Sequence, residues 1–317
     1  METFLYWLAR SLIAFLQALP LKFAAHFGRS FGAAAYHLDA RHRRVAIANL
    51  TRCFGREKSP TQIRALAREN FRRIGESYCC AIKTADMSDD EIRRVVEVVG
   101  IEKIYCPEPG RRLENRVVGI GHFGNFELYA RCIMFAPGYQ FATTYRALRQ
   151  PGLSRLMQKL REQSGCLFFE RRTDAEALKC ALNRDGLVLG LLADQHAGDK
   201  GLRLPFFGHE CSTSGAPAVL ALRYHCPVFT AICYRLAPGR WRIEVGDEIP
   251  TRDNGQPRCV AAITADIVQA FEAAIRRDPA NWFWVHNRWK APKLKNPKSN
   301  AVNTADDSAR AGNDNSR

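Results

Sequence analysis

Between residues 117 and 235, five short apolar or β-branched runs alternate with stretches of helical spacing. The runs are VVGIG, FATTYR, CLFFER, LVLGLLAD and PVFTAICYR; LSRLMQKLREQSG and DAEALKCALNRDG lie between them. Strands that alternate with helices can bury both of their faces only in a mostly parallel sheet covered on each side. RWRIEVGDEI alternates more strictly and reads as an edge strand, and CVAAITADIVQAFEAAIRRDP as an amphipathic helix. Upstream, the pattern is helical to about residue 97. Ser59-Pro60-Thr61-Gln62 and the Ser88/Glu91 pair supply capping boxes there. The expected class is therefore α/β, with a mostly parallel or mixed central sheet flanked by helices and an N-terminal membrane-associated helical segment. The expected division is 1–38 for that segment, 39–294 for the main domain and 295–317 for a disordered tail, polar and poor in large apolar residues.

The N-terminal expectation comes from FLYWLARSLIAFLQALPLKF. Thr3, Arg10 and Gln17, seven apart, draw a thin polar stripe on an otherwise greasy helix, which suits a helix lying in a membrane interface or marginally crossing it. No small-residue cleavage site follows. The chain of 317 residues carries 47 Lys and Arg against 32 Asp and Glu, a net +15, which favours anionic partners. The basic residues form short clusters such as Arg41–Arg44 and Arg171-Arg172, and no nucleic-acid-binding signature accompanies them. The eleven cysteines have no CxxC pair or zinc spacing; Cys180, Cys226 and Cys233 sit in apolar runs and read as reduced core residues. No metal and no cofactor are expected.

VVGIGHFGNFE, residues 117–127, admits two readings. Gly119, Gly121 and Gly124 satisfy the dinucleotide spacing G-x-G-x-x-G, but no acid lies between Glu127 and Glu162 to hold a ribose; Arg146 would have to hold a 2′-phosphate, as in an NADP-dependent oxidoreductase. Alternatively, His122 is a general base and Glu127 its orienting carboxylate. Five positions on a continuous helix turn through about 140° and would part them, so the chain must bend, and Gly124 permits that. An adjoining helix N-terminus would offer amide donors to an oxyanion. Elsewhere, GRSFG at 28–32 matches the G-x-S-x-G elbow of serine hydrolases, but its helical context favours close packing around Gly28, Ser30 and Gly32.

The blocks HFGNFE, GCLFFER with Arg171 at its end, ADQ followed by LPFFG, and a strand opening at Pro227 occur in this order. In these blocks the chain resembles the glycerolipid acyltransferase superfamily, and YRALRQPGLSRLM, ADQ…PFFG and WFWVHNRWK resemble its branch of late lipid A acyltransferases, over about residues 5–292. The resemblance implies direct attack of an acceptor hydroxyl on an acyl thioester, with His122 as base and Glu127 holding its tautomer. It implies that Arg171 holds an anionic group of donor or acceptor, that Arg146 and Arg161 are substrate-binding residues near the site, and that Asp194 contacts the acceptor. Phe206 and Phe207 line an acyl groove or pack in the core; His196 has no assigned role and His286 is structural or interfacial. The implied partners are an acyl carrier protein or coenzyme A thioester, an anionic glycolipid and a membrane surface, with no nucleic acid. The implied location is the cytoplasmic face of the inner membrane. Acylation of another lipid (a lysophospholipid, an ornithine lipid or a glycosylated phosphatidylinositol) and a nonenzymatic membrane adaptor are the alternatives.

Overall fold

The computed structural model describes residues 2–105 and 112–290, so the tail expected from 295 lies outside the described residues. Five helices open the chain: α1 (Glu2–Ala18), α2 (Leu21–Leu38), α3 (Ala40–Phe54), α4 (Pro60–Ala85) and α5 (Asp89–Val95). Both predicted capping boxes are formed, at the starts of α4 and α5. The strands β1 (Val96–Val99), β2 (Arg116–Ile120), β3 (Gln140–Tyr145), β4 (Leu167–Glu170), β5 (Leu187–Leu192), β8 (Val228–Ala237) and β9 (Arg240–Val245) form one sheet, ordered β1-β9-β8-β2-β5-β3-β4. Strands β6 (Leu202–Phe206) and β7 (His209–Thr213) make a separate hairpin. Helices α6 (Pro151–Glu162), α7 (Ala175–Leu182), α8 (Ala216–Tyr224) and α9 (Val260–Arg277) complete the fold.

Every pairing in the large sheet is parallel except that of β8 with β9. Two expectations change. RWRIEV is an interior strand, because β1 pairs outside it. The β1 residues VEVV, which continue the helical spacing of α5, are extended because β9 supplies a partner that no local pattern announces.

Period-two alternation divides the sheet between two layers. Val117, Leu189 and Leu191 face the core built by α8 and α9, whereas Val118, Ile120, Val188, Ala231 and Ile243 face the opposite layer. Cys226 and Cys233 are buried as expected, but Cys180 on α7 is exposed. Phe206 and Phe207 belong to the first core, packed edge-on or tilted against Phe54, Trp282 and Trp284, and do not line the cavity described below.

The GRSFG motif is a helix contact. A Cβ on Gly28 would stand 2.4 Å from the Gly75 carbonyl oxygen of α4, and one on Gly75 would stand 2.2 Å from that of Gly28. Only glycines allow α2 and α4 this approach, and Ser30 lies exposed on the far side. Glu76, 1% exposed, ties the layers together by accepting from Arg29 of α2 and Arg235 of β8. Helix α1 is far less buried. Phe4, Trp7, Leu8 and Phe15 on α1 and Phe23, Phe27 and Phe31 on α2 are exposed, although no described helix is long and apolar enough to cross a membrane.

Candidate active site

Strands β2 and β5 are parallel neighbours, with Ile120 opposite Leu192, so their C-terminal ends deliver His122 and Asp194 side by side. Such strand ends are where open α/β sheets commonly place ligands. The Asp194 Oδ1 lies 2.8 Å from His122 Nδ1; Oδ2 accepts the His122 backbone N–H at 2.9 Å and the Trp282 indole N–H at 2.8 Å. Burial at 2% exposure would raise the Asp194 pKa, but the charge of His122 and these hydrogen bonds overcome it and hold it at about 2. An ionised carboxylate only accepts, so the imidazole proton resides on Nδ1 and Nε2 presents a lone pair that can take a substrate proton. Nε2 faces the Gln195 side-chain amide at 3.4 Å. The rings of Phe126 and Phe283 flank the imidazole, with centroids 4.9 and 5.8 Å away.

The carboxylate on His122 is thus Asp194, where Glu127 was expected. Gly124 does bend the chain, with φ +50°. However, Glu127 lies in the first turn of a 3₁₀ segment, Phe126–Phe135, and both its oxygens are taken by Arg161 of α6, at 3.1 and 2.6 Å. The physical reason is register: the neighbouring strand end reaches Nδ1 directly, while the guanidinium fork claims Glu127. Arg161 also lies over the rings of Tyr145 and Phe168. Its guanidinium, expected to bind substrate, is engaged in this ion pair. Asp194 likewise has no oxygen turned to an acceptor lipid, being buried under its three donors.

Arg146 and Arg171 follow β3 and β4 and remain exposed. Glu170 fixes the second of these turns by accepting the backbone N–H groups of Arg172, Thr173 and Ala147, which leaves the Arg171 side chain outward with Nε 3.3 Å from Thr144 Oγ1. Both arginines and His122 line one cavity of about 900 Å³. Its depth is apolar, spread over the second sheet face by Val118, Ile120, Phe141, Val188 and Ile243, and α4, α6 and the 3₁₀ segment enclose it. No group of three His, Cys, Asp or Glu among the described residues is arranged to hold a metal ion.

The His122–Asp194 pair is backed by the aromatic segment 282–289, whose sequence suggested a structural role. Trp282 and Phe283, after α9, orient Asp194 and flank His122. Two buried asparagines of the N-terminal helices clamp that segment. Asn70 donates to the Ala280 and Trp282 carbonyls, and Asn49 to those of Trp284 and His286. A tryptophan-rich tract signals burial, but nothing in it says which indole meets a carboxylate.

The glycines of the dinucleotide pattern have a packing explanation. A Cβ on Gly124 would stand 2.6 Å from the Cys233 carbonyl oxygen, and one on Gly121 2.6 Å from the Phe123 ring. The turn is closed against β8 and leads into a 3₁₀ segment, not into the α-helix whose N-terminus cradles a pyrophosphate.

Comparison with known proteins agrees. The family described as bacterial lipid A biosynthesis acyltransferase matches residues 1–291. A lipid A biosynthesis acyltransferase of Haemophilus influenzae is 26% identical over 301 residues, 92% of this chain and 93% of its own. A lipid A biosynthesis palmitoleoyltransferase of Escherichia coli is 24% identical, covering 90% and 91%. A phosphatidylinositol mannoside acyltransferase of Mycolicibacterium smegmatis is 25% identical, covering 77% and 78%. None of these supports the oxidoreductase reading.

Proposed function

Since the chain belongs to the bacterial lipid A biosynthesis acyltransferase family and is an acyltransferase, we propose that it moves a fatty acyl chain from a thioester, carried by an acyl carrier protein, to a hydroxyl of a lipid A precursor. The observation that carries this reading is the Asp194-oriented imidazole of His122 at the mouth of a cavity with an apolar depth. His122 Nε2 takes the acceptor hydroxyl proton as the oxygen attacks the thioester carbonyl. The tetrahedral adduct then collapses, the C–S bond breaks, and the departing sulfur takes the proton back from His122. Asp194 holds the tautomer and stabilises the transient imidazolium. The acyl tail occupies the cavity, where each buried methylene contributes about 0.8 kcal/mol.

Arg146 and Arg171 at the rim meet the anionic groups of donor or acceptor. The aromatic faces of α1 and α2 rest on the cytoplasmic face of the inner membrane, with residues 1–38 as the membrane segment, and the net positive charge favours anionic lipid and an acidic carrier. Acylation of another glycolipid is the second reading, kept by the likeness to the phosphatidylinositol mannoside enzyme.

Mass spectrometry of membrane lipids before and after gene deletion tests the acceptor. Loss of one acyl chain from lipid A supports the proposal; unchanged lipid A with another lipid altered favours the second reading. In vitro, Arg171→Lys keeps the charge but loses the planar fork, so kcat/KM should fall at every salt concentration. A merely salt-sensitive weakening would remove Arg171 from the site.

A further inference from the structure

Direct attack on a thioester puts negative charge on the carbonyl oxygen, and a site that speeds it needs donors aimed at that oxygen. The expected helix N-terminus is not there, because the turn after Gly124 leads into a 3₁₀ segment closed against β8. Another donor lies on the cavity wall. The His196 backbone N–H donates to His286 Nε2 at 3.0 Å. A backbone amide can only donate, so Nε2 is the unprotonated nitrogen and a neutral His286 carries its hydrogen on Nδ1. Nδ1 has no protein partner among the described residues. His286 lines the same cavity as His122, and residues 194–196 connect the two rings. Asp194 holds His122, Gln195 faces its Nε2, and His196 sets the tautomer of His286.

We propose that His286 Nδ1–H donates a hydrogen bond to the acyl carbonyl oxygen and stabilises the oxyanion of the transfer step. This rests on the acyl-transfer reading above. The donor gives up no proton; the proton cycle stays on His122. Burial keeps His286 neutral, with its pKa lowered to about 4 although Asp194 opposes the shift, so it serves as a donor throughout the neutral range. The wall holds a second such group. Gly198 N–H donates to His196 Nδ1, which places the His196 hydrogen on Nε2, where it is buried without a partner. Orphaned buried donors are uncommon in folded proteins and call for an explanation.

The two ring nitrogens can be tested separately. An asparagine amide overlays the Nδ1 position, and a glutamine places an acceptor near Nε2. His286→Asn, His286→Gln and His286→Phe are assayed with dodecanoyl-coenzyme A and dodecanoyl-acyl carrier protein, on lipid extracted from a strain lacking the gene. His286→Phe should lose roughly 10²–10³-fold in kcat with little change in KM, as when an oxyanion donor is removed. His286→Asn should recover part of kcat, whereas His286→Gln should recover thermal stability without kcat. The opposite order, kcat restored by glutamine and not by asparagine, assigns His286 a structural role and overturns the proposal. So does wild-type kcat in His286→Phe. Should the Phe variant not fold, the Asn and Gln pair alone decides. Undiminished transfer by His122→Ala would instead overturn the acyl-transfer mechanism itself, a distinguishable failure.

Discussion

The two faces of the central sheet are built from the same strands and the same kinds of residue, yet one is filled and the other hollow. On the filled face Gly119 leaves room for α9, where an added Cβ would stand 3.0 Å from Ile267 Cγ2. On the hollow face Gly190 borders the cavity, and an added Cβ would stand 3.3 Å from the flexible end of Ile120 and 3.8 Å, ordinary contact, from the Ala142 carbonyl oxygen. Helices cross the first face at packing distance. The second is bridged by α4, α6 and a 3₁₀ segment, and α6 buries none of its residues. A fold held by one well-packed face can leave the other open for a chain-like ligand.

The largest contrast should appear in stability. Ile267→Ala on the filled face should destabilise by about 2–5 kcal/mol, since a well-packed site cannot collapse. Ile120→Ala, the same chemistry beside the cavity, should fall at or below the lower end of that range. Urea unfolding of both variants checks this, and equal losses would mean that the two faces pack alike.

The next effect belongs to the strand ends between the faces. Asp194 is held at about 2, below the usual carboxylate value near 4. A depressed carboxyl contributes stability that is complete above its unfolded value and vanishes as pH falls through the folded one. That amounts to roughly 2 kcal/mol, lost between pH 4 and 2. In Asp194→Asn this increment should be missing, giving a flatter acid limb in thermal melts. An unchanged limb would place the ionised carboxylate elsewhere.

The smallest effect is selective. Gly190→Val should leave stability nearly intact while shortening the preferred acyl donor, each excluded methylene weakening binding about fourfold. Competition between donors of different length reads it directly, and an unaltered preference would remove the cavity from acyl recognition.

What could be read in advance follows the range of each interaction. Strands β2, β3, β4, β5 and β8 are short apolar or β-branched runs between turn signals, so local sequence reveals them. Strand β1 is not legible, because Val96 and Val99 continue a helical spacing and only β9, about 140 residues later, makes them extended. The cavity has no signature, since apolar residues above a hollow alternate just as they do above a core. His122 stood out through its turn, and Asp194 as an acid at a strand end. Their pairing depends on β2 and β5 being neighbours although β3 and β4 intervene in sequence. Glu127, five residues away, was the nearer carboxylate by sequence, and an arginine 34 residues on had claimed it. Trp282 completes the site from the far end of the chain.

Asp194, not Glu127, meets His122 Nδ1 at the mouth of the cavity, and the proposed mechanism makes His122 the base through that contact. The test is single-turnover acyl transfer by His122→Ala, Asp194→Asn, Glu127→Gln and the His122→Ala/Asp194→Asn double variant. His122→Ala should lose about 10²–10⁴-fold, Asp194→Asn a comparable factor through the wrong tautomer, and the double variant little more than either alone, because the two residues act as one unit. Glu127→Gln, which weakens only the pair with Arg161, should lose far less. A near wild-type rate for Asp194→Asn, with the large loss falling on Glu127→Gln, would return the orienting role to Glu127.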